Sequence, residues 1–169
     1  GERIDLVIFL NGIAIFTFEL KCNTSGQNYE DAIRQYKFER DYKTRLLKFK
    51  AGCLAHFAMD LNEVYMCTNL KGKSSFFLPF NKGCGVGIHS GKGNPHNENG
   101  INVSYMWEDI LKKDTVLYLI DKIIFLQKET KKDPDTGKRV TNETLIFPRY
   151  HQFNAVRKLV ADVVEHHSE

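Results

Sequence analysis

Glu19 and Lys21, separated only by Leu20, close an apolar run that covers residues 13–21. Side chains alternate along a strand, so the carboxylate and the ammonium share a face. Asp5, in the preceding apolar run, would complete a set of two carboxylates and one lysine. Such a set suits metal-assisted phosphodiester hydrolysis. Hard oxygens hold a Mg²⁺ that keeps several waters, the metal acidifies one of them, and the lysine orients the nucleophile or steadies developing negative charge. The pattern acid-x-Lys also occurs at Asp41 and Glu129, but there it lies in charged segments. An ordinary ion pair where a strand emerges into solvent explains Glu19 and Lys21 equally well. Spacing leaves both readings open.

The hairpin between the two runs decides whether Asp5 joins the other two groups. Asn11-Gly12 is a strong signal for a two-residue turn. Regular pairing from that turn sets Leu10 against Ile13 and Asp5 against Phe18, which points Asp5 away from Glu19 and Lys21. A three-residue loop with Gly12 in a bulge pairs Phe9 with Ile13 and sets Asp5 opposite Thr17, on the shared face. A metal site therefore predicts this loop or a bulge within the strands. Because both runs are apolar on both faces, the hairpin is expected in the middle of a covered sheet.

The remaining chain supplies elements to position these residues. Residues 29–40 carry Tyr29, Ile33 and Tyr36 on a helical period, with Glu30 and Asp31 in the first turn. Residues 53–59 and 64–68 read as a second hairpin turning at 60–63, and 76–80 as a further strand. Residues 81–100 are rich in Gly and Asn and read as a loop. Helical periodicity returns over 105–113 and 115–127, the charged stretch 128–142 reads as an exposed turn around Asp133-Pro134-Asp135-Thr136-Gly137, and an amphipathic helix spans about 154–164.

Composition narrows the class. The chain has 169 residues, 42% hydrophobic content and a formal charge of +3. That is enough for one domain with a real core and a fragment of a second. No apolar run approaches the roughly 20 residues needed to cross a bilayer, and no signal peptide is evident. Cys22, Cys53, Cys67 and Cys84 form no C-x-x-C pair, so a reducing, cytoplasmic setting is expected. The start at Gly1-Glu2-Arg3, without Met, suggests a piece of a longer protein. Arg34, Lys37, Arg40, Lys43, Arg45, Lys48 and Lys50 crowd one region, either a solvated face or a contact for nucleic acid. Cys84, His89 and His96 lack metal-like spacing.

The stretches "RIDLVIFLNGIAIFTFELK", "DAIRQYKFERD", "CLAHFAMDLNEVYMCTNL", "FFLPFNKG" and "ETLIFPRYHQFNAVRKLV" together resemble the amino-terminal part of the R (motor and nuclease, HsdR-type) subunit of type I restriction enzymes. The resemblance implies a PD-(D/E)xK restriction-endonuclease-like core, a mixed β-sheet flanked by helices, over residues 1–146, lacking its first helix. It makes Asp5, Glu19 and Lys21 the catalytic motif, with Ile4 in place of the usual proline. Gln35 falls at the glutamine of a Q-x-x-x-Y element whose tyrosine position is Glu39 here. The resemblance also implies Mg²⁺, with Mn²⁺ as a substitute, held by Asp5, Glu19 and the Leu20 backbone carbonyl.

"FPRYHQ" looks like the Q motif that opens a superfamily 2 helicase motor. Residues 147–169 would be the truncated start of that domain, with Gln152 reading the adenine of ATP and Phe147 or Tyr150 packing nearby. No G-x-x-x-x-G-K-[ST] occurs, and Gly87 to Lys92 is one residue short and followed by glycine, so ATP chemistry would belong to the full-length subunit. The function implied is that of a type I site-specific deoxyribonuclease. It would cut double-stranded DNA after ATP-driven translocation, with the methylation and specificity subunits as partners and no membrane. The alternative is a catalytically silent nuclease-fold module for DNA positioning or subunit docking.

Overall fold

The computed structural model describes residues 3–84, 92–132, 134 and 136–166. The stretch 87–91 and His89, singled out above, lie outside the described residues. Strands β1 (Leu6–Leu10), β2 (Ile13–Leu20), β3 (Ala55–Met59), β4 (Val64–Cys67) and β5 (Leu78–Pro79) form one sheet in that order. β2 and β3 run parallel and the other neighbours antiparallel. Helix α1 (Tyr29–Phe38) lies in the crossover from β2 to β3. The fold is thus mixed α/β with a mixed sheet.

The register of the first hairpin answers the question posed by the sequence. Asn11 and Gly12 both have positive φ, 49° and 79°, and Leu10 pairs with Ile13, so the loop has two residues rather than three. Two pairs further on, the register shifts: Phe9 faces Ala14 while Ile8 faces Phe16, which leaves Ile15 as an extra residue in β2. This bulge inverts the parity that the turn alone would impose. Leu6 then faces Phe18, and one step beyond the strand Asp5 reaches the level of Glu19 rather than Thr17. The Leu20 amide donates to Asp5 Oδ2 at 2.9 Å, which fixes that placement.

The expectation that this hairpin is central is corrected: β1 is an edge strand, and Leu6 and Phe9 on it are exposed. Its apolar two-sided pattern is shared by buried and edge strands alike, so local pattern could not rank them. The second hairpin turns where expected, with Met59 opposite Val64. Asp60 holds it: Oδ1 accepts from the amides of Asn62 (2.7 Å) and Glu63 (2.8 Å), and Oδ2 from the Tyr29 amide (3.0 Å). One carboxylate therefore ties the turn to the start of α1, which Asn28 and Asp31 close with a capping box.

Each face of the sheet has its own core. On one, Ala32 and Tyr36 of α1 pack with Leu47, Ala58, Cys67, Leu70 and Phe77. On the other, Phe16, Phe18, Phe57 and Phe80 pack against Val103, Met106, Ile110, Val116, Leu119, Phe147 and Phe153. The segment covering that second face was expected as two α-helices. It is instead a π-helical turn (Met106–Ile110), the short helix α2 (Lys113–Tyr118) and a second π-helical turn (Leu119–Ile123). Of its apolar residues, Val116 and Leu119 are buried and Ile120, Ile123 and Ile124 are half-buried against the same core.

Residues 125–127 and the charged stretch after them also depart from expectation. They belong to a two-stranded ribbon, β6 (Phe125–Lys132) and β7 (Arg139–Ile146), in full antiparallel register. Charge does not break the strands because it is paired across them. Lys128 Nζ lies 3.1 Å from Glu143, and the Thr130 and Thr141 hydroxyls meet at 3.0 Å. Helix α3 (Tyr150–His166) follows.

Phe147, between β7 and α3, inserts its ring among Phe16, Phe57 and Phe80, with centroid distances of 5.9, 6.0 and 5.9 Å. Such an edge-packed ring leaves a large hole when removed. Phe147→Ala is expected to lower the unfolding free energy by about 3–5 kcal/mol in a urea titration, and a loss under about 1 kcal/mol would show that this segment does not belong to the core.

Candidate active site

The face of β2 that looks toward α1 carries Thr17, Glu19 and, just past the strand, Lys21. Thr17 is fully buried, and its hydroxyl bonds both the Tyr36 hydroxyl (2.9 Å) and His56 Nδ1 (2.7 Å). This triad joins β2, α1 and β3 and so sets the distance at which α1 stands over Glu19. Burial pushes the Tyr36 phenol well up and drives the His56 imidazole down to about 3, so His56 is neutral when folded.

Glu19 is also fully buried. Its Oε1 accepts from Arg40 Nε at 2.6 Å, whereas Oε2 is buried with no hydrogen-bond partner. Burial raises the Glu19 carboxyl above its ordinary value; Arg40 opposes this, and the neighbouring Asp5 carboxylate reinforces it. Asp5 is exposed, beside the Leu20 amide that it binds. Lys21 does not pair with Glu19. Its Nζ donates to Gln35 Oε1 at 2.5 Å, and its own amide bonds the Met59 carbonyl at 2.9 Å, so both ends of the residue are held.

The structure thus brings Asp5, Glu19, Lys21 and Gln35 to one end of the sheet, from the β1 entry, the end of β2 and the last turns of α1. The ion pair that the sequence offered, Glu19 with Lys21, is replaced by Glu19 with Arg40. Arg40 was visible only as one of seven cations between residues 34 and 50. The available signal was indirect: a buried carboxylate requires a cation, and Arg40 follows the helix that supplies Gln35.

An orphaned carboxylate oxygen next to a second carboxylate is what a divalent cation would complete, and the donors are the hard oxygens that Mg²⁺ prefers. Asp5 and Glu19 fit such an ion. Among the described residues no group of three His, Cys, Asp or Glu side chains that could hold a metal is found, so further ligands here would be backbone oxygen and water.

The residues matched to a Q motif lie elsewhere. Phe147 is in the core, Tyr150 packs its ring on Phe80 and Tyr105 at 6.1 and 5.0 Å, and Gln152 is exposed, its Oε1 accepting from the Arg149 amide at 2.9 Å. Gln152 therefore braces the start of α3. Among the described residues no helix is long and apolar enough to cross a membrane.

His56 generates a pH dependence with a definite sign. Its folded value of about 3 lies below the unfolded value of 6.5, so between these limits the unfolded chain binds a proton that the folded one refuses. Stability is then lost as pH falls through that window, by up to about 1.4 kcal/mol per pH unit. Urea unfolding of wild type and His56→Asn at a series of pH values is expected to differ in slope by about one proton in this window. Parallel profiles would show that His56 does not titrate between the two states.

No curated protein and no solved structure matches this chain. Residues 1–75, which hold Asp5, Glu19, Lys21, Gln35 and Arg40, match the family model described as Type I restriction enzyme R protein N terminus (HSDR_N).

Proposed function

We propose that this chain carries the nuclease centre of a type I restriction enzyme, a PD-(D/E)xK site that cuts double-stranded DNA with Mg²⁺. The observation that supports it most is the buried, unpartnered Glu19 Oε2 on the face where the hairpin bulge also brings Asp5. Asp5, Glu19 and the Leu20 carbonyl would hold the ion, with Mn²⁺ able to replace it. The bound ion would supply a water of lowered pKa and positive charge beside the scissile phosphate.

The chain's own residues do the rest. Lys21, at the end of the strand that carries Glu19, would steady negative charge on phosphate. Gln35 fixes that ammonium by accepting its hydrogen bond, so Gln35 acts by positioning. In the full subunit cleavage would follow ATP-driven translocation, with Gln152 toward adenine and Tyr150 beside it, whereas the Phe147 ring is committed to the core. The methylation and specificity subunits would supply site recognition, in the cytoplasm.

A second reading has one observation in its favour. Arg40 already neutralises part of Glu19, as it would in a silent module that positions DNA or docks subunits. Plasmid nicking with Mg²⁺, in an assembled type I complex carrying this segment and supplied with ATP, separates the two. Asp5→Ala and Lys21→Ala are each expected to slow nicking by at least about 100-fold. Rates equal to wild type would leave the silent module standing.

A further inference from the structure

We propose that Arg40 is the protein's own counter-ion for the acid pair, and that a divalent cation enters the site by displacing its guanidinium from Glu19. This rests on the metal reading above and deepens it.

Two arginine–carboxylate pairs within the same chain show the difference between a permanent clasp and an exchangeable one. Arg157 grips Asp109 with both terminal nitrogens, Nη1 on Oδ1 and Nη2 on Oδ2, each at 2.7 Å, which satisfies both oxygens. Arg40 reaches Glu19 through Nε alone, at 2.6 Å, and leaves Oε2 buried and bare. A guanidinium has five donors in a planar fork, and a two-point grip would have cost the protein nothing in residue type. The single bond is therefore a partial substitute for something that uses the other oxygen.

Charge argues the same way. Asp5 and Glu19 bring two negative charges together, and Lys21 is turned to Gln35 rather than to either of them. One guanidinium leaves the pair short by a charge; a divalent cation does not. The guanidinium is itself largely enclosed, its side chain 10% exposed against 0% for Glu19, so it sits where an entering ion must compete with it. Two cations against one enclosed carboxylate repel strongly at low local dielectric. Arg40 therefore keeps Glu19 compensated in the metal-free protein and is released as the ion loads.

Calorimetric titration of the whole chain with Mn²⁺ alone tests this. Arg40→Met removes the competitor and is expected to bind Mn²⁺ at least about tenfold more tightly than wild type, with Arg40→Lys in between. Binding that is unchanged or weaker in Arg40→Met overturns the exchange. Glu19→Gln distinguishes the two layers of the argument. If it abolishes Mn²⁺ binding while Arg40→Met is no tighter, the metal centre stands and the exchange falls; if it binds like wild type, the metal centre falls and takes the exchange with it. Should Arg40→Met fail to fold, the arginine Nε–H resonances of wild type decide, with the Arg40 signal assigned by its loss in Arg40→Lys. That signal is expected to move on saturation with Mg²⁺, and an unmoved signal overturns the proposal.

Discussion

A carboxylate buried to zero exposure at the end of a central strand is the constraint around which the rest of this structure is arranged. An isolated ion in such a place is costly by several kcal/mol, and the cation that offsets it is Arg40. The Leu20 amide anchors the Asp5 carboxylate beside it, which adds negative charge, and Lys21 is held by Gln35. The second oxygen of Glu19 has no hydrogen-bond partner. A fold selected only for stability would place an apolar side chain here, since well-packed apolar groups often do as well as a buried ion pair.

Long-range placement of the site depends on two devices that are local in origin. The bulge at Ile15 flips the parity of β1 against β2, so that a two-residue turn and a shared face for Asp5 and Glu19 can coexist. The Thr17–Tyr36–His56 triad sets α1 against the sheet, while Asp60 ties the start of that helix to the β3–β4 turn. β2 carries Glu19 and the entry to β1 carries Asp5, while α1 supplies Gln35 and the residues just past its end supply Arg40. The second core, centred on Phe57 and Phe147, backs the sheet from the opposite side and keeps β2 from shifting.

Much of this was legible in the residues, and the rest was not for identifiable reasons. The strand runs, α1 and the turn at Asp60 follow from local periodicity and turn chemistry, which act within a few residues. The register of β1 was legible only as a choice, because a turn signal at Asn11-Gly12 cannot report a bulge three residues later. The ribbon of β6 and β7 was hidden by its charge: Lys128 and Glu143 read as solvent-loving until the two strands are paired. Arg40 escaped for the same kind of reason. Its partner is 21 residues away, and six other cations nearby had equal claim.

The family match over residues 1–75 and the geometry at the end of β2 meet in the same few side chains. Asp5 and Glu19 place hard oxygens there, with the guanidinium of Arg40 on Glu19. Anomalous scattering from crystals of the chain soaked in Mn²⁺ measures directly whether the acid pair takes up a divalent ion. A peak is expected between Asp5 and Glu19 Oε2, and a map with no peak there, with Arg40 still on Glu19, would rule out the metal centre.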